Sequence, residues 1–384
     1  MSCPCCKESA RFNGYRSKTI VFLLGEVHLS RPYYHCAYCQ TGHFPWDATL
    51  SLKGQRYSLG VREITALAGV QDSFGKVAER TLVKMSGIRM SESTVERITE
   101  SAGAHLSKAL QAGKVFGPNQ PWSWHVDSRG KKCAYLSVDW TGIMMQGSDG
   151  AKVDGRMVAV GMLFNPHPRT KKTRAEQLSM PCDGARYLAG FYTLAELGLQ
   201  MRRQGAQLGM DATDLWIALT DGGNGLEKFI DVNFPGAIKI LDFQHPAGRL
   251  SDLAKLVQPE DSESLAASWC HTMKHEGGRQ IATVLEDLDR RRLSHAARDK
   301  LAETLSYLDK NRYRMNYPKY LERGWQIATG AVESACKTVI NQRLCMGGMR
   351  WGEDGGDNVA HLRALYRSDP DQWDAFWAEY TMAA

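Results

Sequence analysis

The apolar positions change rhythm twice along the chain. Within residues 19–35 they form two β-rich runs, Thr19-Ile-Val-Phe-Leu-Leu and Val27-His-Leu-Ser-Arg-Pro-Tyr-Tyr, interrupted at Gly25-Glu26, which predicts a hairpin. From Val61 the spacing turns helical, and the run 74–87 would present Val77, Leu82 and Met85 to a core. That helix breaks at Ser86-Gly87. A second starts near Thr94-Val-Glu-Arg97-Ile, with Ser91 and Ser93 as candidate N-caps and Ser93 and Glu96 at capping-box spacing. Helix, glycine turn and capped helix fit a helix-turn-helix, and equally an ordinary helical hairpin. Beyond Pro118 the pattern predicts strands over 134–139 and 156–164, a helix over 188–204, a strand over 215–220, a helix over 225–232 and a strand over 237–242. A charged helical stretch, 251–321, and a last helix from Thr329 complete the order. An α/β sheet domain interrupted by an all-helical insertion accounts for it.

With 384 residues and 43% apolar content, the chain is large enough for more than one packed core, which excludes global disorder. We divide it into a four-cysteine module (1–48), a helical segment (49–115), a first part of the sheet domain (116–250), the helical insertion (251–324) and the C-terminal part of the sheet domain (325–384). The apolar runs near 20–24 and 158–164 fall far short of the roughly 20 residues that cross a bilayer. The first residues read Cys-Pro-Cys-Cys-Lys-Glu-Ser where a signal peptide would be apolar, so a soluble, cytoplasmic protein with no membrane partner is expected. Lys and Arg number 48 and Asp and Glu 42, giving a formal charge of 48 − 42 = +6, too mild to decide a partner.

Five of the ten cysteines fall within the first 39 residues. Cys3-x-x-Cys6 and Cys36-x-x-Cys39 flank the predicted hairpin, the arrangement of a zinc ribbon in which each turn supplies two thiolates to a tetrahedral site. Such a zinc would be structural. Cys5 is a surplus thiol that could replace a neighbour. Cys133, Cys182, Cys270, Cys336 and Cys345 stand singly and are expected to be small buried side chains.

Asp139 and Asp221 each follow an apolar strand, where α/β sheets place their sites, and Glu333 near the start of the last helix could reach them. Hard cations such as Mg²⁺ or Mn²⁺ take carboxylates converging from separate elements, and two such ions serve phosphoryl transfer. Strand-end Asp is also a routine turn or N-cap residue, and by pattern alone both readings stand.

The run Leu24-Gly-Glu-Val-His-Leu-Ser-Arg-Pro-Tyr-Tyr-His-Cys-x-x-Cys39, the strand Ser137-Val-Asp139, the segment Thr220-Asp-Gly-Gly-Asn-Gly-Leu226 and Gly330-Ala-Val-Glu333-Ser with Met349-Arg-Trp351 together resemble the ISKra-type bacterial insertion-sequence transposases. The resemblance spans nearly the whole chain. Those enzymes are similar to the Mutator-like DDE transposases, whose RNase H-like α/β core carries two Asp and one Glu. The resemblance implies a triad of Asp139, Asp221 and Glu333 holding two Mg²⁺ or Mn²⁺ ions. Asp242-Phe-Gln-His245 matches that group's Cys/Asp-x-x-His motif, so both residues would be auxiliary to the site, although His245 could equally be a hydrogen-bonded helix-start residue. The chain departs from the usual Asp-Gly by having Asp139-Trp140, which leaves Asp127 a competitor for the first position.

The activity implied is metal-dependent cleavage at the element ends, followed by joining of the 3′-OH to target DNA. Double-stranded DNA, both ends and target, would be the partner, with the protein acting as a homodimer or higher oligomer associated with the nucleoid. The four-cysteine module and helix-turn-helix would bind the terminal inverted repeats, with Ser93, Thr94 and Arg97 at the start of the recognition helix. Lys131, Lys132, Arg290, Arg291, Arg292, Arg343 and Arg350 are candidate phosphate contacts, each of which could also belong to a solvated face. Trp351 would either stack on a base or pack in the core. Two rivals remain: an RNase H-like nuclease that cuts without joining, and a zinc-dependent DNA-binding regulator with a catalytically dead sheet domain.

Overall fold

The computed structural model describes residues 1–50, 52–147, 150–151, 153–166, 182–223, 225–328, 330–368 and 370–383. They form two compact units, Met1–Ala109 with Pro370–Ala384, and Leu110–Asp369. The terminal helix, Pro370–Ala383, therefore belongs to the first unit and not to the sheet domain that precedes it.

The first unit opens with a long hairpin, β1 (Arg11–Phe22) and β2 (Gly25–His35), in register from Phe22↔Gly25 to Arg11↔His35, with β3 (Gly42–His43) added at its edge. Only the end of β1 is covered: Ile20 and Val21 are buried, and Val21 pairs with Tyr57 ahead of α2 (Leu59–Gly69). A short helix, α1 (Pro45–Thr49), places Asp47 against the buried Arg31 at 2.5 Å. The helical pair predicted after Val61 is present. α3 (Phe74–Lys76) passes through a π-helical segment (Val77–Thr81) into α4 (Leu82–Ser86), which Gly87 closes in the left-handed conformation at φ 70°. Val77 and Leu82 are buried as expected, but Met85 is 82% exposed in the last turn of α4, next to the Gly87 cap. α5 (Glu92–Gln111) begins one residue before Ser93, so the cap is Ser91, whose Oγ accepts the Thr94 N–H at 3.3 Å. Ser93 and Glu96 thus both lie inside the helix, and Ser93 is not its cap.

In the second unit, a mixed sheet has the order β7-β6-β5-β8-β9, with a two-residue strand, β4 (His125–Val126), on β5. β5 (Lys132–Ile143), β6 (Arg156–Pro166) and β7 (Cys182–Gly190) are antiparallel neighbours, whereas β8 (Leu215–Thr220) and β9 (Ile238–Leu241) run parallel to β5. The sheet centre is dry: Leu136, Val138, Val160, Met162, Ile217 and Leu219 are all buried. Two predictions shift here. The strand expected to stop at Asp139 continues to Ile143, because β6 keeps pairing with it after β8 has ended. Residues 188–190 belong to β7, and the helix α6 starts only at Leu194, capped by a Thr193–Glu196 capping box (Leu194–Gln207). α7 (Leu226–Asn233) joins β8 to β9, and α8 (Gln244–Val257) begins the helical insertion earlier than the charge pattern suggested. The insertion continues as α9 (Ser262–Glu276), α10 (Gly278–Glu286), α11 (His295–Asn311) and α12 (Tyr317–Glu322). α13 (Gly330–Ala335), a π-helical segment (Cys336–Asn341), α14 (Gln342–Leu344) and α15 (Glu353–Arg367) return to the sheet. Among the described residues no helix is long and apolar enough to cross a membrane.

Asp127 has a local role. It is buried, and it accepts the N–H groups of Arg129 and Lys131 at 2.9 and 3.0 Å, Arg323 Nε at 3.0 Å and Trp325 Nε1 at 3.1 Å. Burial pushes its pKa up, but these donors outweigh burial and hold the carboxyl below its ordinary value. Asp127→Ala leaves the buried Arg323 unpaired, and we expect a loss of about 3–5 kcal/mol in urea denaturation at neutral pH. Because the folded pKa is depressed, this stabilisation is present above the unfolded value of about 3.9 and fades as pH falls through the folded one. The variant should lack that acid-dependent component. Equal midpoints for the two proteins at neutral pH would refute the assignment.

Candidate metal centres

The N-terminal cysteines are brought together by two matching turns. Cys3 N–H donates to Glu8 O at 2.7 Å and Cys36 N–H to Thr41 O at 2.9 Å, and the residue after each second cysteine, Lys7 or Gln40, takes a positive φ. Repeating the same five-residue loop aims four sulfurs at one point. Cys3 and Cys39 Sγ are 3.6 Å apart, as are Cys6 and Cys36 Sγ, and all four lie within 4.8 Å of one another. A zinc tetrahedron with Zn–S of about 2.3 Å has S–S edges of about 3.8 Å, so the donor set fits zinc. The Thr41 hydroxyl, 2.9 Å from Cys39 Sγ, holds that thiol down to about 6, favouring the thiolate a metal requires. Cys5 is exposed and is not one of the four. Of the single cysteines, Cys133 and Cys336 are buried, Cys270 is half-buried and Cys345 is exposed, whereas the Cys182 side chain lies outside the described residues.

The second cluster is set by strand register. β5 and β8 pair up to Ser137↔Leu219, so two residues further along each strand Asp139 stands level with Asp221. β8 and β9 pair up to Thr220↔Leu241, so one residue further Asp221 stands level with Asp242, whose N–H donates to Thr220 O at 2.9 Å. Three acidic residues thus stand on three neighbouring parallel strands or just past their ends. Asp242 is fully buried and accepts the Gln244 N–H at 2.9 Å, which starts α8 with His245 in its first turn. α13 brings Glu333 to the same place: ligand atoms of Asp242, His245 and Glu333 lie within 4.8 Å of one another. Asp139 and Asp221 are not in that tight group, but the charge of Asp139 reaches Glu333 and that of Asp221 reaches Asp139. Burial first, and then the charge of Asp221, raise the pKa of Asp139, against the Trp140 N–H, Cys336 and His245. Burial, Asp242 and Asp139 raise Glu333, against His245. The Cys336 thiol donates to Asp139 Oδ2 at 3.5 Å. Negative groups crowded in this way favour a cation or a shared proton.

Arg314 was not foreseen. It is 1% exposed, and its Nη2 donates to Thr220 Oγ1 at 2.8 Å and to Asp221 O at 3.0 Å, while Nη1 faces Glu227 Oε1 at 3.3 Å. Tyr317 OH similarly donates to Leu241 O at 3.0 Å. The helical insertion thereby fixes the ends of β8 and β9 where the acids emerge. A lone arginine in a charged helical stretch carries no pattern that would have singled it out.

The basic candidates fall into different surroundings. Ser93 and Arg97 are exposed and Thr94 half-buried in the first turns of α5. Lys131 and Lys132 are exposed, Lys131 paired with Asp214 at 2.9 Å. Arg290, Arg291 and Arg292 form an exposed turn with Arg292 near Asp289, and Arg350 is exposed. One expectation, for Arg343, is corrected, and the two readings of Trp351 are decided. Arg343 is 0% exposed, its guanidinium 5.1 Å from the Trp351 ring, so it cannot reach a phosphate. Trp351 is buried too, donating Nε1 to Leu344 O at 2.9 Å, because its backbone pairs with Met145 and folds the loop onto the extension of β5. It packs in the core and presents no face to a base.

No protein-family model matches the chain, and no curated protein is found to be similar to it.

Proposed function

We propose that this chain is a DNA transposase with an RNase H-like catalytic core, similar to the ISKra-type and Mutator-like enzymes whose motifs it resembles. The observation that carries the reading is the register that sets Asp139, Asp221 and Asp242 side by side with Glu333 and His245 over them. A sheet whose first long strand, β5, is central, with an antiparallel wing on one side and a parallel wing on the other, supports the RNase H-like part. Asp139, Asp221 and Glu333 would hold the catalytic cations, with Asp242 and His245 beside them. Oxygen donors suit Mg²⁺ or Mn²⁺, and the imidazole of His245 tilts the choice toward Mn²⁺. Bound there, the ions would supply neutralisation of phosphate charge and a more acidic attacking water.

The protein's own groups position the reaction. Arg314 and Tyr317 hold the strand ends, and the Gly223 N–H, 2.9 Å from Asp221 Oδ1, fixes the rotamer of that carboxylate. Water would attack the phosphodiester at the element end and release a 3′-OH, which would then attack a target phosphodiester, so no covalent enzyme intermediate is needed. The four-cysteine module, with zinc as its structural ion, and the helical pair around Arg97 would bind element ends, and pairing of two ends would require at least a dimer.

The test is mobility. A marker placed between the gene's native flanking sequences, with the protein supplied in cells, should be excised and reinserted. Cleavage of the flanks without joining would instead favour an RNase H-like nuclease, and binding without cleavage a regulator.

A further inference from the structure

The first unit contains a cavity of 240 Å³ that shares no residue with either metal centre. Its walls come from the loop before α2, from α2, from α5 and from the terminal helix. Three of the lining side chains are guanidinium groups, Arg56, Arg62 and Arg97, and none is a carboxylate. Trp377 and Tyr380 add aromatic surface, and Gln55 and Ser101 add neutral polar groups. Arg62 is 5% exposed and lies 5.6 Å from the centroid of the Tyr380 ring, and burial lowers its pKa. Arg56 is exposed and faces Glu26 at 3.5 Å.

Arg62 and Arg97 place positive charge on the walls of a confined space, which favours an anion there. Guanidinium forks match the oxygens of a phosphate, and aromatic faces take a base. The volume is below the roughly 300–1,000 Å³ of sites for drug-sized ligands, which suits an occupant of about one nucleotide. We propose that this cavity binds a single nucleoside 5′-phosphate, its phosphate held by Arg62 and Arg97 and its base against Trp377 and Tyr380. Free nucleotide and the 5′-phosphorylated terminal nucleotide of a strand present the same chemistry. The site stands independently of the catalytic reading, although it gives Arg97 a specific ligand.

The test uses the full-length, zinc-loaded protein and calorimetric titration with dAMP, deoxyadenosine, inorganic phosphate, and a short single strand with and without a 5′-phosphate. dAMP should bind at least about ten-fold more tightly than deoxyadenosine or phosphate, and Arg97→Ala should weaken it by about ten-fold or more. Arg97 is exposed on α5, so the variant should keep the wild-type circular dichroism spectrum. Trp377→Phe, a conservative change at a buried position, should weaken dAMP but not phosphate. Preference for the phosphorylated strand would identify a strand terminus as the source, and equal binding of both strands, weaker than dAMP, would identify free nucleotide. Binding of dAMP no tighter than phosphate, or unchanged in Arg97→Ala, would overturn the proposal. Asp221→Asn should bind dAMP like the wild type whatever it does to strand transfer, so the two readings fail separately.

Discussion

Asp221→Asn should lose strand cleavage and joining by at least about 10³-fold while keeping its affinity for DNA. The magnitude is what a carboxylate would contribute, several kcal/mol of charge stabilisation, if it holds a catalytic cation as proposed. The fold should tolerate the change, because asparagine retains the Oδ1 that accepts the Gly223 N–H, and Arg314 grips the carbonyl of residue 221 and not its side chain. The substitution also removes one of the charges that raise Asp139, although burial remains the larger cause there. Cleavage and joining would be followed on labelled oligonucleotides carrying the flanking sequences, with Mg²⁺ or Mn²⁺, beside gel-shift binding. A variant within about ten-fold of wild type would remove Asp221 from the catalytic set.

Removing the N-terminal metal should unfold the hairpin without disturbing the sheet. The buried cluster there consists of Cys3, Ala10 and Cys36, with Cys6, Tyr34 and Cys39 around it, so most of its core is made of the ligands themselves. Most of β1 and β2 lies open to solvent and contributes little apolar burial. Structural zinc supplies on the order of 10–16 kcal/mol in comparable modules, more than such a core can replace. Purified protein should therefore contain one zinc per chain. Chelation or Cys36→Ser should expose the amides of β1 and β2 to hydrogen exchange while those of β5, β6 and β8 stay protected. Cys5→Ser should be silent, since that thiol lies outside the group of four. Protein that binds no zinc and still protects the hairpin would disprove the site.

Those two centres were unequally legible in the sequence. The Cys pairs were readable because each is a local turn whose spacing fixes its geometry. The acids were readable as residues but not as an array. That Asp139, Asp221 and Asp242 stand level depends on the pairing of three strands, and the continuation of β5 past Asp139 depends on β6, some twenty residues away. Charge misled where burial was decided by distant packing. Arg314 and Arg343 look like surface residues in sequence, yet one serves the end of β8 and the other lies under Trp351. Leu188 continues an apolar run that reads as helical, but pairing with Gly161 makes it a strand residue. The arginine-lined cavity was invisible for a similar reason, since one wall is a helix more than 270 residues beyond Arg97 in the chain.

The contacts of Arg314 tie two parts of the second unit into one thermodynamic system. The same guanidinium belongs to the helical insertion and touches the backbone of Asp221, so whatever stabilises one arrangement of the insertion also selects a position for that acid. Coupling of this kind is reciprocal. A change in the packing of the insertion around Arg314 would therefore be felt at the backbone of Asp221, and a displacement of Asp221 would be felt in the insertion.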